Sequence, residues 1–278
     1  MNEPLPTFIG IGAVKAGTTS IHRYLGEHPE VHVSEIKETN FFAYEGQRRP
    51  WYRVRSWSAF MAQFAPGKGM KAVGEFSPIY MENPRSAQRI ADALPAVKIV
   101  ASLRSPVDRA YSGWVGSIRS GIESEPAESA LRPGSRYIRR GFYSKMLEPY
   151  FERFGRERIE LILFEDLAAD PARAMSSLYE FLGVDSGFVP DIKQRYNAGS
   201  FPRYPRLNRA WQALRRRQPL WFRAPDVVIR WNRYMMERTY SAPPPIDPKL
   251  REALLDLYRE EVARMEEILE RDLEIWRR

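Results

Sequence analysis

Apolar positions along this chain follow two rhythms that take turns. In Thr7–Gly12, Val97–Leu103 and Ile159–Phe164 they crowd into short, nearly unbroken runs, and Met70–Glu75 forms a fourth such segment. Runs of that length and density predict strands covered on both faces, as in a parallel sheet. Between them the spacing changes to that of helices. Ile21, Tyr24 and Leu25 follow the first run, and Ala110, Tyr111 and Trp114 follow Ser105-Pro106. Further helices are expected over Asn83–Leu94, with Asn83 as N-cap and Pro84 at the first helical position, over Phe142–Phe154 and over Pro171–Leu182. Pro248–Trp276 carries the stripe Leu250, Leu254, Leu257, Val262, Met265 and Leu269 on a charged helix. Val31–Val33 is a short apolar piece, Gly46–Gly69 reads as an aromatic helical insertion, and Gly116–Arg140 reads as a long loop. The alternation predicts an α/β fold, a P-loop-like parallel β-sheet with helices on both faces and right-handed crossovers. One domain is expected over 1–278: an α/β core at 6–182, a basic aromatic region at 196–245 and a C-terminal helix at 247–278.

Composition narrows the chemistry. The sequence holds no cysteine among 278 residues, which excludes disulfides, thiolate catalysis and thiolate metal sites and fits a reducing compartment. No apolar stretch has the length of a membrane helix or the flanks of a signal peptide, so a cytoplasmic protein is expected. The net charge of +8 suits a polyanionic ligand.

The stretch with the most chemistry is Thr7–Leu25. Its first strand runs into the turn Gly12–Gly17, then Thr18, Thr19 and Ser20 open a helix. Glycine lets a ligand approach the backbone, and the first helical turn presents N–H groups together with the positive end of the helix dipole. The spacing of Gly12 and Gly17 copies half of a P-loop, but Thr18-Thr19 stands where Lys-[Ser/Thr] would, and the lysine, Lys15, lies inside the turn. Arg104 closes the third run, at the strand edge where open α/β sheets bind ligands, and arginine suits phosphate. Glu38 follows Lys37 and precedes Phe41-Phe42; an aromatic wall beside it would desolvate it and raise its basicity.

Taken together, these segments resemble the sulfotransferases that use 3′-phosphoadenosine 5′-phosphosulfate (PAPS), most of all the bacterial and glycan-modifying branch. Val14–Ser20 is similar to the 5′-phosphosulfate loop, which implies that Lys15 bridges the transferred sulfonate and the 5′-phosphate while Ala16, Gly17, Thr18, Thr19 and Ser20 hold the phosphate. Leu103-Arg104-Ser105-Pro106 with Arg109 and Ser112 is similar to the 3′-phosphate block, implying that Arg104 and Ser112 bind there; Ser105 stands where Asp is common. Lys37-Glu38-x2-Phe41-Phe42 resembles the segment whose glutamate is the catalytic base. Glu75-Phe76-Ser77-Pro78 resembles a second acidic segment near the acceptor, with Phe76 in place of the usual lysine. Asn197–Arg203 is a loose match to the basic loop that closes over PAPS, and Arg203 is its best candidate. The resemblance implies a metal-free in-line transfer that leaves adenosine 3′,5′-bisphosphate. The acceptor would be a hydroxyl or amine on a carbohydrate or other small alcohol, with Glu75 and Trp51 as candidate contacts.

Competing readings are a P-loop kinase or NTPase, which would require Lys at position 18, and a nucleic-acid binder built on the Arg/Trp stretch 203–233. The same stretch, with Leu220-Trp221-Phe222, suits peripheral contact with a membrane, without stable insertion. His22, His28 and His32 read as structural, with His32 the fallback base. Identity of the acceptor and oligomeric state are not encoded in any of these motifs.

Overall fold

The computed structural model describes residues 5–44, 54–192, 200–216 and 240–278, with the side chains of 214–216 left out. Trp51, most of the 196–245 region's aromatics and much of its arginine lie outside the described residues. The chain divides into two compact units, Met1–Ser105 with Phe142–Tyr196 and Glu260–Arg278, and Pro106–Gly141 with Asn197–Arg259.

In the first unit a five-stranded sheet is built from β1 (Phe8–Gly12), β2 (Val31–Val33), β3 (Ala72–Phe76), β4 (Lys98–Leu103) and β5 (Ile159–Leu163) in the order β2-β3-β1-β4-β5. All neighbours are parallel, and β1 pairs Ile9 with Glu75 on one side and with Ile99 on the other. Every residue of β1 and β3 is buried, which explains the apolar run of β1 and leaves Glu75 of β3 as a carboxylate inside the core. On one face α1 (Thr18–Glu27) packs Ile21, Tyr24 and Leu25 with Phe8, Phe76 and Val100 and with Met175, Leu178 and Tyr179 of the helix Pro171–Leu182. The helices Ser86–Ala93 and Tyr143–Phe154 pack on one another, and the latter on β4 and β5. Asp170 caps Pro171–Leu182 through the Arg173 N–H at 3.0 Å, and Gly183 ends it in the left-handed region.

The chain reverses direction across β1 when it passes from β3 to β4, so the C-terminal ends of β1 and β4 flank a topological switch point. The P-loop-like parallel sheet with flanking helices expected from the sequence is the fold observed.

Several boundaries differ. Val31–Val33 is a strand, too short for its pattern to declare itself; pairing of Val31 with Ala72 and Val33 with Gly74 defines it. The helix expected from Asn83 starts at Ser86: Asn83 Oδ1 accepts the Arg85 N–H at 3.0 Å in the turn that leads into it, while the Asn83 amide donates to Ala43 O at 2.6 Å. The segment 116–140 is not one loop: a helix runs Pro106–Arg119, and short helices follow at Ala127–Ala130 and Arg136–Arg139, the last capped by Ser135. The last long helix, Pro248–Leu269, stops before Trp276, which sits in the separate 3-10 turn Glu274–Trp276.

In the second unit Pro106–Arg119 is the organiser. Asn208, on the helix Pro205–Arg216, donates to Ile118 O and Arg119 O, both at 2.9 Å, and so satisfies two terminal carbonyls. Tyr258 donates to Ile138 O at 2.7 Å, and buried Arg109 donates to Tyr137 O. Phe201–Pro202 pairs antiparallel with Tyr240–Ser241.

Candidate active site

The turn after β1 is shaped by its backbone. Ala13 N–H donates to Ser102 O of β4 at 2.6 Å, and the Ser102 hydroxyl donates to Ala16 O. Lys15 adopts φ 74° and Gly17 φ 85°. A left-handed non-glycine residue costs about 1–2 kcal/mol, so the fold holds Lys15 where its local preference would not. At Gly17 a Cβ would lie 2.8 Å from the Phe164 ring. Gly17 is the N-cap of α1 and caps it without a side chain, leaving Thr18, Thr19 and Ser20 in the first turn of that helix. Ala16 and Thr18 are buried; Lys15, Gly17, Thr19 and Ser20 are partly exposed.

One strand over, Arg104 follows β4. Its guanidinium lies 4.5 Å from the Phe164 ring and reaches Lys15 O at 3.5 Å. The surroundings pin its main chain: Tyr143 OH donates to Arg104 O at 2.8 Å, and Ser105 N–H donates to Glu165 Oε1 at 2.8 Å. The other oxygen of Glu165 accepts the Trp276 indole N–H at 3.1 Å, and Trp276 is fully buried. Lys15 and Arg104, 89 positions apart, thus share one edge of the sheet. Ser112, in the helix Pro106–Arg119, and Arg203, exposed beside Pro202, belong to the second unit.

Glu38 sits on the same C-terminal side of the sheet, behind β3. Its N–H donates to Phe76 O at 3.0 Å and its φ is 62°. The desolvation expected from Phe41-Phe42 is absent. The Glu38 side chain is 49% exposed and paired with Lys37 Nζ at 2.6 Å. Phe41 instead stacks on Phe60, with 4.8 Å between ring centres, and Phe42 meets Phe60 edge to face at 5.1 Å.

The desolvated carboxylate is Glu75. It has no exposed surface, and burial pushes it up to about 7, against the pull of its hydrogen bonds from Tyr80, Ser77 and Thr39. Its carboxylate is turned onto internal hydroxyls. Phe76, at the position of the missing lysine, packs its ring where a Cβ on Gly10 would lie, within 2.0 Å.

The histidines are structural in their contacts. Carbonyl acceptors require ring N–H donors, so His22 Nε2 donates to Ser34 O at 3.2 Å, His28 Nε2 to Asp185 O at 2.9 Å and His32 Nε2 to Gln63 O at 2.8 Å. Burial lowers His22 to about 4.

Sequence reading missed Thr39, Ser77, Tyr80, Ser102, Phe164, Glu165 and Trp276. Thr39 and Ser77 lay inside the quoted Glu38 and Glu75 segments, with Tyr80 just beyond the second; Ser102, Phe164, Glu165 and Trp276 act from a strand, a helix and a turn elsewhere in the chain.

These features have counterparts in known proteins. Residues 6–188 match the profile of the sulfotransferase family. A solved sulfotransferase from Alicyclobacillus acidocaldarius superposes with a TM-score of 0.74 at 30% identity, covering 99% of this chain and 100% of that one. The membrane-associated sulfotransferase kil1 of Dictyostelium discoideum is 34% identical over 116 residues, 41% of this chain and 24% of that protein. The bifunctional heparan sulfate N-deacetylase/N-sulfotransferase 1 of Caenorhabditis briggsae is 28% identical over 208 residues, 66% of this chain and 23% of that protein. The chain therefore spans about a quarter of the length of these two curated relatives. The kinase and nucleic-acid readings give way to a Lys15 turn, a parallel sheet and a profile match that all agree: this chain belongs to the sulfotransferase family.

Proposed function

We propose that the chain transfers a sulfonate from PAPS to a hydroxyl or amine of a carbohydrate or other small acceptor. The observation that carries this is the pairing of Lys15 and Arg104 at the switch point of the sheet, beside the N-terminus of α1. Two cations and a helix dipole there suit a nucleotide with separated anionic groups. Gly17 is required in this turn by packing, since the Phe164 ring fills the space a Cβ would take.

In this reading the acceptor oxygen or nitrogen attacks sulfur, its new bond to sulfur forming as the bond from sulfur to the bridging phosphate oxygen breaks. Glu38 takes the acceptor's proton. Lys15 neutralises charge growing on the bridging oxygen, and Thr18, Thr19 and Ser20 hold the 5′-phosphate. Roles for Arg104 and Ser112 at the 3′-phosphate, and for Arg203 in covering the donor, rest on the resemblance. The names of the heparan sulfate relatives support a glycan acceptor. The lack of cysteine supports a cytoplasmic location.

The test has two arms. Calorimetry with adenosine 3′,5′-bisphosphate should show binding that Arg104→Ala weakens. An acceptor screen with PAPS should yield a product heavier by one sulfonate, and Glu38→Gln should abolish it while nucleotide binding persists. No heat of association with that nucleotide would end the proposal.

A further inference from the structure

The loop that carries Glu38 is held by an arrangement that its own sequence does not announce. Three successive N–H groups, of Asn40, Phe41 and Phe42, donate to three hydroxyls: Ser77 Oγ at 2.9 Å, Thr39 Oγ1 at 3.4 Å and Tyr80 OH at 3.4 Å. Each hydroxyl in turn donates to the one buried carboxylate. Tyr80 and Thr39 reach Glu75 Oε1 at 2.5 and 2.9 Å, and Ser77 reaches Glu75 Oε2 at 2.8 Å. A hydroxyl that gives its proton to a carboxyl oxygen presents its lone pairs to the backbone, so the two oxygens of Glu75 orient all three. The carbonyls of the same segment are held as well: Arg89 and Ser86 donate to Phe42 O, at 3.0 and 3.3 Å.

What this fixes is a strained conformation. Glu38 and Asn40, neither of them glycine, both have left-handed φ, 62° and 55°. Such residues persist when their surroundings over-determine them, and they mark functional sites. Glu38 is exposed, so its own packing does not hold it; its neighbours do.

The geometry points to Glu75 as a positioning residue. Through Thr39, Ser77 and Tyr80 it sets the backbone of residues 38–42 so that the Glu38 carboxylate meets the acceptor. The inference rests on Glu38 being the base. It assigns Glu75 no contact with substrate, and it makes the hydroxyls of Thr39 and Ser77 matter to the reaction although neither touches a reacting atom.

Thr39→Val removes one relay and keeps the side chain's shape; Ser77→Ala removes another. With PAPS and a working acceptor, kcat should fall on the order of 10-fold or more in each, as a small misplacement of a reacting group can cost more than that. KM for PAPS, the affinity for adenosine 3′,5′-bisphosphate and Tm should stay near wild type, because the Lys15 turn hangs on β1 and β4. Thr39→Ser should restore kcat. Loss of kcat together with nucleotide affinity and Tm, without rescue by serine, would reduce the network to general stability and overturn the role. Wild-type kcat in both relay variants, with Glu38→Gln inactive, would also overturn it while leaving the base in place. Full turnover in Glu38→Gln would remove the base itself, and the positioning role with it.

Discussion

Two loops at the same edge of the sheet are fixed by opposite means. The turn 13–17 is held by backbone: a left-handed Gly17, a buried Ala16 whose carbonyl accepts from Ser102, and a helix that begins at once. The loop 38–43 is held by side chains that converge on a single buried acid. The first arrangement rests on main-chain geometry and the Ser102 hydroxyl, the second on a buried carboxyl group. In the proposed reading, the loop that meets the acceptor is positioned by a residue that substrate never meets.

The sharpest break in this comparison is at Lys15. Lys15→Ala should lower turnover about 100-fold, the loss of one preorganised charge at the leaving oxygen, with a smaller loss of PAPS affinity. Equal losses in steady-state kinetics and calorimetry would make Lys15 a plain phosphate contact.

Next comes the pH response of Glu75. Its folded value, about 7, lies above the 4.5 of a free side chain. Its contribution to stability is therefore complete below 4.5 and is lost as pH rises through 7. A shift of that size corresponds to about 3 kcal/mol. The only other titratable group in its hydrogen-bond shell is Tyr80, which burial and the Glu75 charge raise well above its ordinary value. His22 works in the other direction: lowered to about 4, it loses stability as pH falls from 6.5. Its neighbours are Ser34 O, Lys37, Arg23 and Glu38. The stability of wild type minus that of Glu75→Gln, from urea unfolding, should shrink from pH 4.5 to 7, and the variant alone should show the steeper rise due to His22. A difference independent of pH would show that Glu75 is charged throughout.

Gly17→Ala should follow, with about 1–2 kcal/mol lost from unfolding free energy through its φ of 85° and the Phe164 ring at 2.8 Å. An alanine variant of wild-type stability would mean that the turn relaxes freely, against the rigidity argued for the donor end. Trp276→Phe, which removes one hydrogen bond to Glu165, should cost about 1 kcal/mol. Its signature is weaker binding of adenosine 3′,5′-bisphosphate with KM for the acceptor unchanged.

The two loops were not equally legible in the sequence. In Gly12–Ser20 strand, glycine and helix start lie within nine residues and could be read in line, although Ser102 and Phe164, which also hold the turn, could not. The acceptor side could not. Phe41-Phe42 beside Glu38 suggested a desolvated base, but those rings turn to Phe60 and the buried carboxylate is 37 positions later. Thr39, Ser77 and Tyr80 are ordinary residues whose meaning arises only when the β2–β3 side of the sheet brings them onto one acid. β2 escaped for a related reason: three residues carry no period, and pairing alone makes them a strand. Asn83 reads as a cap, and its Oδ1 does accept the Arg85 N–H at 3.0 Å, but the residues between it and Ser86 form a turn ahead of the helix.

Trp276 has one more implication. Its indole and the Ser105 amide share the carboxylate of Glu165, and Tyr143, 6.0 Å from its ring, grips the carbonyl of Arg104. An anion on Arg104, as proposed above, should therefore also steady a turn more than 160 positions downstream, and such linkage would be reciprocal. Nucleotide should slow tryptic cutting at Arg271, and clipping there should loosen the nucleotide in equal measure.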